Sequence, residues 1–412
     1  MDVLLKPCML RGAVTPPPSK SQAHRLILAA SLAEGVSRIG NVALSQDIEA
    51  TNRCMEVLGA SFAKRDGGLE VTGIGGKQID FGGELPRFDC GESGSTLRFL
   101  IPIALAVAGG GVFTGRGRLM ERPQKPYFDL FREKKIFYSQ TDGRLTVRGS
   151  LEPGEYCLPG NVSSQFFTGL LYALPLLRSD SRIQSLTAVE SSGYLAMTEA
   201  ALKLAGVPVR HSDGWESFSV QGPAPYLPFA CCVEADWSQA AFYKAAAGIG
   251  NAVMLAGMNA NSVQGDRVIA VYGEKLRGAG EVTLDVSQCP DLVPALAVQA
   301  ALRADETTCI VGAARLRIKE SDRLDAVTCE LSKLGAQITQ APDSLTIHGV
   351  TGFHGGTTDS RNDHRIAMML AVAATRASGP VLLRDAGSVA KSYPNFWEDY
   401  RMLGGQMEEV HP

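Results

Sequence analysis

Six times along this 412-residue chain a short polar or charged head leads into an apolar stretch of helical length. The stretches are "SKSQAHRLILAASLA" from Ser19, "GESGSTLRFLIPIALAVA" from Gly91, "NVSSQFFTGLLYALPLL" from Asn161, "DWSQAAFYKAAAGIG" from Asp236, "QCPDLVPALAVQAAL" from Gln288 and "NDHRIAMMLAVAATRA" from Asn362. A helix that is apolar on nearly every side has no face for water, so other elements must enclose it. The spacing is about 70 residues, shorter only between Asp236 and Gln288, and self-similarity on that scale marks repeated supersecondary units.

A second helix type recurs between these stretches: "DIEATNRCMEVLGASF", "YLAMTEAALKLAGVPV" and "RLDAVTCELSKLGAQI". Each is amphipathic and stops at a glycine (Gly59, Gly206 or Gly335) suited to a left-handed C-cap. The segments "LEVTGIG", "RLTVRGS", "SFSVQG" and "LTIHGV" alternate apolar with polar residues and are bounded by glycine, the pattern of strands. The repeat therefore combines strands with one buried and one amphipathic helix. This predicts an α/β protein of two similar domains, each holding three units with buried helices surrounded by sheets.

A net charge of −3 argues against a nucleic-acid or membrane-surface binder, which would need a basic excess to attract phosphates over distance. An anion site must then be local, built from a few converging cations. Nine cysteines without a CxxC pair read as reduced thiols in a cytosolic protein. The opening "MDVLLKPCML" lacks the basic-then-apolar layout of a signal peptide. The longest apolar run, "FLIPIALAVAGGGVF", is too short for a membrane span and is interrupted by Pro102.

The heads hold more charge than capping requires. Capping explains one oxygen per helix. It does not explain Lys20, Arg25, Arg98, His364 and Arg365 at the positive pole, where each like charge costs about a few tenths of a kcal/mol. In "RIKESDRLDA" a helix would put Lys319 and Arg323 one turn apart on one face, with Glu320 beside Arg323. A solvated, salt-bridged face is the competing reading. "MERPQKP" places Arg122 and Lys125 in a proline-bounded loop. Ser163, Ser164 and Gln165 offer neutral donors at a helix start, suited to a phosphate or carboxylate or to a double cap. At Gly94 and Ser95 the backbone could approach a ligand closely. Asp291 could serve chemistry or cap the helix after it. No Walker or dinucleotide fingerprint, nucleophile elbow or metal-ligand spacing is present in the sequence, so no structural or catalytic metal is expected.

Taken together, "PPSKSQAHR", "GESGSTLR", "ERP", "NVSSQF", "KESDRL", "NDHR" and "AKSYPNFW" resemble, in order and spacing, the 5-enolpyruvylshikimate-3-phosphate synthase family of enolpyruvyl transferases. The resemblance spans nearly the whole chain. It implies an inside-out α/β barrel of βαβαββ-type units in each domain, with one discontinuous domain of about 1–18 plus 234–412 and a second of 19–233, closing on substrates between them. It also implies a cofactor-free transfer of the enolpyruvyl group of phosphoenolpyruvate to shikimate 3-phosphate by a cytoplasmic monomer in aromatic amino-acid biosynthesis. Lys20, Ser21, Arg25, Ser163, Ser164, Gln165, Ser191, Asp291 and Lys319 would then bind shikimate 3-phosphate, with Tyr194 nearby. Lys20, Gly94, Arg122, Gln165, Arg323, Arg365 and Lys391 would hold phosphoenolpyruvate. Asp291, Glu320 and Lys20 would carry the chemistry, Asp291 taking the 5-hydroxyl proton and Glu320 serving the methylene carbon.

This sequence departs from that family's common pattern at His24 and Glu92, where Asn is frequent, and at Arg315. Glu92 would weaken phosphoenolpyruvate binding unless Arg98 or Lys125 pairs with it. The related UDP-N-acetylglucosamine enolpyruvyl transferases fit less well, because the loop "GRGRLMERP" lacks their catalytic cysteine and Ser21 stands where they carry Asn. An RNA-processing protein on a similar repeat is disfavoured by the absence of a basic, aromatic-rich pattern. A non-catalytic copy would not keep every charged role filled.

Overall fold

A parallel strand pair cannot be closed by a tight turn and needs a crossover, usually a helix. That requirement organises the computed structural model of this protein, which describes residues 1–410. The chain divides into two units, Pro18–Glu234 and Met1–Pro17 together with the chain from Ala235 onward.

The unit Pro18–Glu234 carries three four-stranded sheets of one design. Arg87–Asp89 pairs parallel with Gly110–Thr114, which continues antiparallel to Arg144–Arg148 and then Phe137–Thr141. Glu155–Leu158, Ser181–Ser185, Ser217–Val220 and Val209–His211 repeat it. In the third sheet Ala230–Cys232 supplies the parallel partner of Val36–Gly40, so the last strand of the unit completes the sheet begun by its first.

In the other unit Val282–Asp285, Thr307–Val311, Leu345–His348 and Gln337–Gln340 form the same sheet. Gly356–Asp359 and Val381–Arg384 are completed by the N-terminal strand Asp2–Lys6 and by Gln406–Val410. The remaining repeat has two strands among the described residues, Arg11–Val14 parallel to Ala252–Leu255. It lacks the hairpin, which accounts for the short interval between Asp236 and Gln288.

The six apolar stretches form the helices Lys20–Leu32, Gly94–Ala108, Ser164–Ala173, Trp237–Gly248, Val293–Ala301 and His364–Ala374. Every residue of the last two is buried. In Lys20–Leu32 only Lys20, Ser21 and Gln22, at the head, are not. Ser19, Ser93, Ser163, Asp236 and Asp363 cap five of the six with side-chain oxygens. The amphipathic stretches form Gln46–Val57, Ser192–Leu204 and Arg323–Ser332, and the glycines after them have φ of 95°, 72° and 92°.

Pro102, which breaks the apolar run, lies inside the helix Gly94–Ala108. Proline removes the N–H that would reach the Arg98 carbonyl. The buried Tyr127 hydroxyl lies 2.9 Å from that carbonyl and 3.0 Å from the carbonyl of Phe166. Gly169 makes the approach possible, since a Cβ there would sit 2.4 Å from the Tyr127 hydroxyl and 2.5 Å from the Arg98 carbonyl.

Candidate functional site

Side chains at the helix heads gather into two clusters, one in each unit. In Pro18–Glu234 the Lys20 head comes first. Lys20 Nζ lies 2.7 Å from Asp47 Oδ2, both side chains mostly shielded from solvent. Arg25, one turn on, is 2% exposed. Its Nε donates to the Tyr194 carbonyl at 3.1 Å and to Thr198 Oγ1 at 2.8 Å, and its Nη1 to the Ser21 carbonyl at 2.7 Å. The guanidinium also lies over the rings of Phe99 and Tyr194. All these partners are neutral; no carboxylate meets Arg25 among the described residues. Burial pulls its pKa down to about 10.

The head of Gly94–Ala108 meets that of Ser164–Ala173. Gln165 is oriented at both ends: its Oε1 accepts from Arg98 Nη1 at 2.7 Å and its Nε2 donates to Ser95 Oγ at 3.0 Å. Arg98 also donates to the Pro123 carbonyl and stacks over Phe166. The Arg122 guanidinium lies so close to Gly94 that an added Cβ would sit 2.6 Å from Nη1, so only glycine admits it there. Ser163 is the helix cap, its Oγ accepting from Gln165 N at 3.3 Å, which leaves its hydrogen available to an acceptor. Ser164 follows, buried. Ser191, also buried, holds φ of 60° at the head of Ser192–Leu204, a conformation that side chains other than glycine avoid. Lys125 is not part of a loop; it opens the helix Lys125–Lys134 and pairs with Asp129.

In the other unit Asp291 is the centre. It lies in the single turn Pro290–Leu292 ahead of the buried helix, not at its cap. Its carboxylate meets Arg323 Nη1 at 2.8 Å, Arg365 Nη2 at 2.9 Å and Lys319 Nζ at 3.3 Å. Arg323 is 1% exposed and also bonds Asp363 at 2.7 Å and Glu320 at 2.5 Å. Burial opposes its charge, but Asp363, Glu320 and Asp291 outweigh that and hold its pKa above the ordinary value. Lys319 is shifted the other way: burial lowers its pKa more than Asp291 raises it. Lys319 and Arg323 do not share a helical face. The helix begins at Arg323, capped by Asp322, and Lys319 is extended. Lys391 is buried and donates to the Asn362 carbonyl at 2.7 Å.

Of the predicted residues, Lys20, Ser21, Arg25, Gly94, Arg122, Ser163, Ser164, Gln165, Ser191 and Tyr194 lie in Pro18–Glu234, and Asp291, Lys319, Glu320, Arg323, Arg365 and Lys391 in the other unit. Sequence reasoning missed Asp47 and Asp363. Asp363 could have been found as the oxygen that caps its helix; nothing local marks Asp47. The three departures are also placed. His24 is buried against Thr51 Oγ1 at 2.8 Å. Arg315 donates to the Ser287 carbonyl. Glu92 lies against Gly117. Among the described residues all cysteines are free, no group of His, Cys, Asp and Glu could hold a metal ion, and no helix is long and apolar enough to cross a membrane.

The profile of the EPSP synthase (3-phosphoshikimate 1-carboxyvinyltransferase) family matches residues 5–400. The chain is 43% identical to the 3-phosphoshikimate 1-carboxyvinyltransferase of Clostridium kluyveri, covering 99% of this chain and 98% of that protein. It is 44% identical to the protein of the same name from Clostridioides difficile, over 98% and 97% of the two chains. In fold it is similar to an EPSP synthase from Acinetobacter baumannii, with TM-score 0.80, 24% identity and full coverage of both chains. The enolpyruvyl transferase NikO from Streptomyces tendae gives TM-score 0.78 at 18% identity, over 100% of this chain and 99% of that one. By the extent of the profile match and the identity to these relatives, the chain belongs to the EPSP synthase family.

Proposed function

We propose that this protein transfers the enolpyruvyl group of phosphoenolpyruvate to the 5-hydroxyl of shikimate 3-phosphate, releasing phosphate, in the cytoplasm and as a monomer. One observation carries most weight in the site: Arg25 is a buried cation whose partners are all neutral. Such a charge is retained at a cost unless a ligand supplies the counter-ion. A sugar-acid phosphate does so. Lys20, Ser21, Ser163, Ser164, Gln165 and Ser191 are its further ligands from the same unit.

The two clusters serve one reaction. Arg122, Arg323, Arg365 and Lys391 hold the phosphate and carboxylate of phosphoenolpyruvate, with Lys20, Gly94 and Gln165; guanidinium forks suit both groups. Asp291 takes the 5-hydroxyl proton as the oxygen adds to C2, and Lys319 holds the sugar-acid beside it. Glu320 delivers a proton to the methylene carbon and takes one back as phosphate leaves and the alkene is restored. The cations stabilise charge that builds on the phosphate, so no metal or cofactor is needed.

A phosphate-release assay tests this. Release should require shikimate 3-phosphate and phosphoenolpyruvate together. Release with a UDP-amino sugar as acceptor instead would assign the chain to the related transferases.

A further inference from the structure

Glu330 belongs to none of the groups just assigned, yet its carboxylate is fully enclosed, with a side chain 0% exposed. It lies on the helix Arg323–Ser332, two turns after Arg323. Its carboxylate accepts from Lys333 Nζ at 2.7 Å, from Arg361 Nε at 2.7 Å and from the backbone N–H of Asp359 at 3.0 Å. Arg361 belongs to the turn that enters the helix His364–Ala374, and Asp359 ends the strand that leads into that turn. In that turn Arg361 and Asn362, consecutive and neither of them glycine, have φ of 55° and 54°. Two left-handed residues in a row persist only where their surroundings over-determine them.

That turn sets three of the cations assigned to phosphoenolpyruvate. The Asn362 carbonyl holds Lys391 at 2.7 Å. Asp363 grips Arg323 through Nε at 2.7 Å and Nη2 at 3.3 Å. The same Asp363 caps the helix that carries Arg365, accepting from its N–H at 2.9 Å. We propose that Glu330, clamping Arg361 and the Asp359 N–H, is a positioning residue for phosphoenolpyruvate that acts through Lys391, Arg323 and Arg365. The inference rests on the function proposed above.

Glu330→Gln and Arg361→Ala test it in the full chain by steady-state kinetics with each substrate varied. Arg361 is the safer variant, because its side chain is 41% exposed. Displaced binding groups lose affinity in proportion to misplacement, so KM for phosphoenolpyruvate should rise about tenfold while kcat and KM for shikimate 3-phosphate stay within about twofold. Lys333→Ala, which removes a Glu330 partner outside the turn, should leave KM for phosphoenolpyruvate unchanged. An unchanged KM for phosphoenolpyruvate in folded Arg361→Ala, or an equal rise for both substrates, overturns the positioning role. If Glu330→Gln does not fold, Arg361→Ala decides alone. A wild-type chain without activity on this substrate pair would instead remove the proposed function itself, so the two failures are distinct.

Discussion

A guanidinium 2% exposed, with only neutral oxygens and ring faces around it, is costly to keep. For Arg25 the cost is a stability debt that a bound anion would offset. Arg25→Met should therefore unfold at the same free energy as wild type, or about 1 kcal/mol higher, because its carbonyl partners lie within helices that already bond them. It should also lose turnover. Inorganic phosphate or shikimate 3-phosphate should raise the melting temperature of wild type and not of the variant. A variant that stays active and is still stabilised by ligand would place the anion elsewhere. One residue earlier, His24 makes a different prediction. Burial first, then Lys20 and Arg25, hold its pKa well below 6.5. The unfolded chain binds a proton near 6.5 and the folded chain does not. The stability contributed by neutral His24 is therefore complete above pH 6.5 and declines as pH falls below it, by up to about 1.4 kcal/mol per pH unit. Urea unfolding of His24→Asn and wild type at pH 7.5 and about 5.5 checks the sign: the wild type should lose the additional stability on acidification. Parallel losses would mean that His24 is not held neutral.

Between helices, the Gly94–Ala108 and Ser164–Ala173 pair shows which structure was legible in sequence and which was not. The apolar stretches and their caps depend on neighbours within a turn, so "SGST" and "SSQF" announced both helix starts. What lets the two helices meet is not local. Tyr127 replaces the hydrogen bond that Pro102 removes, and Gly169 clears the space, from positions far along the chain. Lys20 with Asp47 and Glu330 with Arg361 are likewise pairs between distant segments, invisible to spacing rules. The apparent one-face pairing of Lys319 and Arg323 failed for a related reason: Asp322 caps at that point, so the helix cannot begin earlier. Gly169→Ala would force a Cβ to within 2.4 Å of the Tyr127 hydroxyl, and should destabilise the fold by about 1–3 kcal/mol through overpacking. Tyr127→Phe leaves the Arg98 carbonyl unsatisfied and should cost about 1–3 kcal/mol. Denaturant titration measures both. If Gly169→Ala were neutral, the close approach would not be a constraint.

Across the whole chain the repeat was readable because six buried helices need six enclosures, but the joining of both ends in one unit came only from the family resemblance and not from periodicity. The strand Asp2–Lys6 completes a sheet with Val381–Arg384 and Gln406–Val410, so one unit is assembled from both ends of the sequence. The other is a continuous run, Pro18–Glu234, with three complete four-stranded sheets whose strands all come from within it. Its final strand, Ala230–Cys232, pairs with Val36–Gly40 near its start. A run that satisfies its own sheet partners and encloses its own buried helices has the parts of an autonomous domain. Expressed alone, residues 18–234 should therefore fold and melt in one cooperative transition. The fragment should bind shikimate 3-phosphate more weakly than the full chain, since Lys20, Arg25 and Ser163–Gln165 remain but Asp291 and Lys319 are gone. It should release no phosphate from the substrate pair. Circular dichroism melting and calorimetric titration give both answers. A fragment without a cooperative transition would show that its sheets and helices need the rest of the chain to hold together. A folded fragment that ignores shikimate 3-phosphate would remove the anion site from the Lys20 helix head.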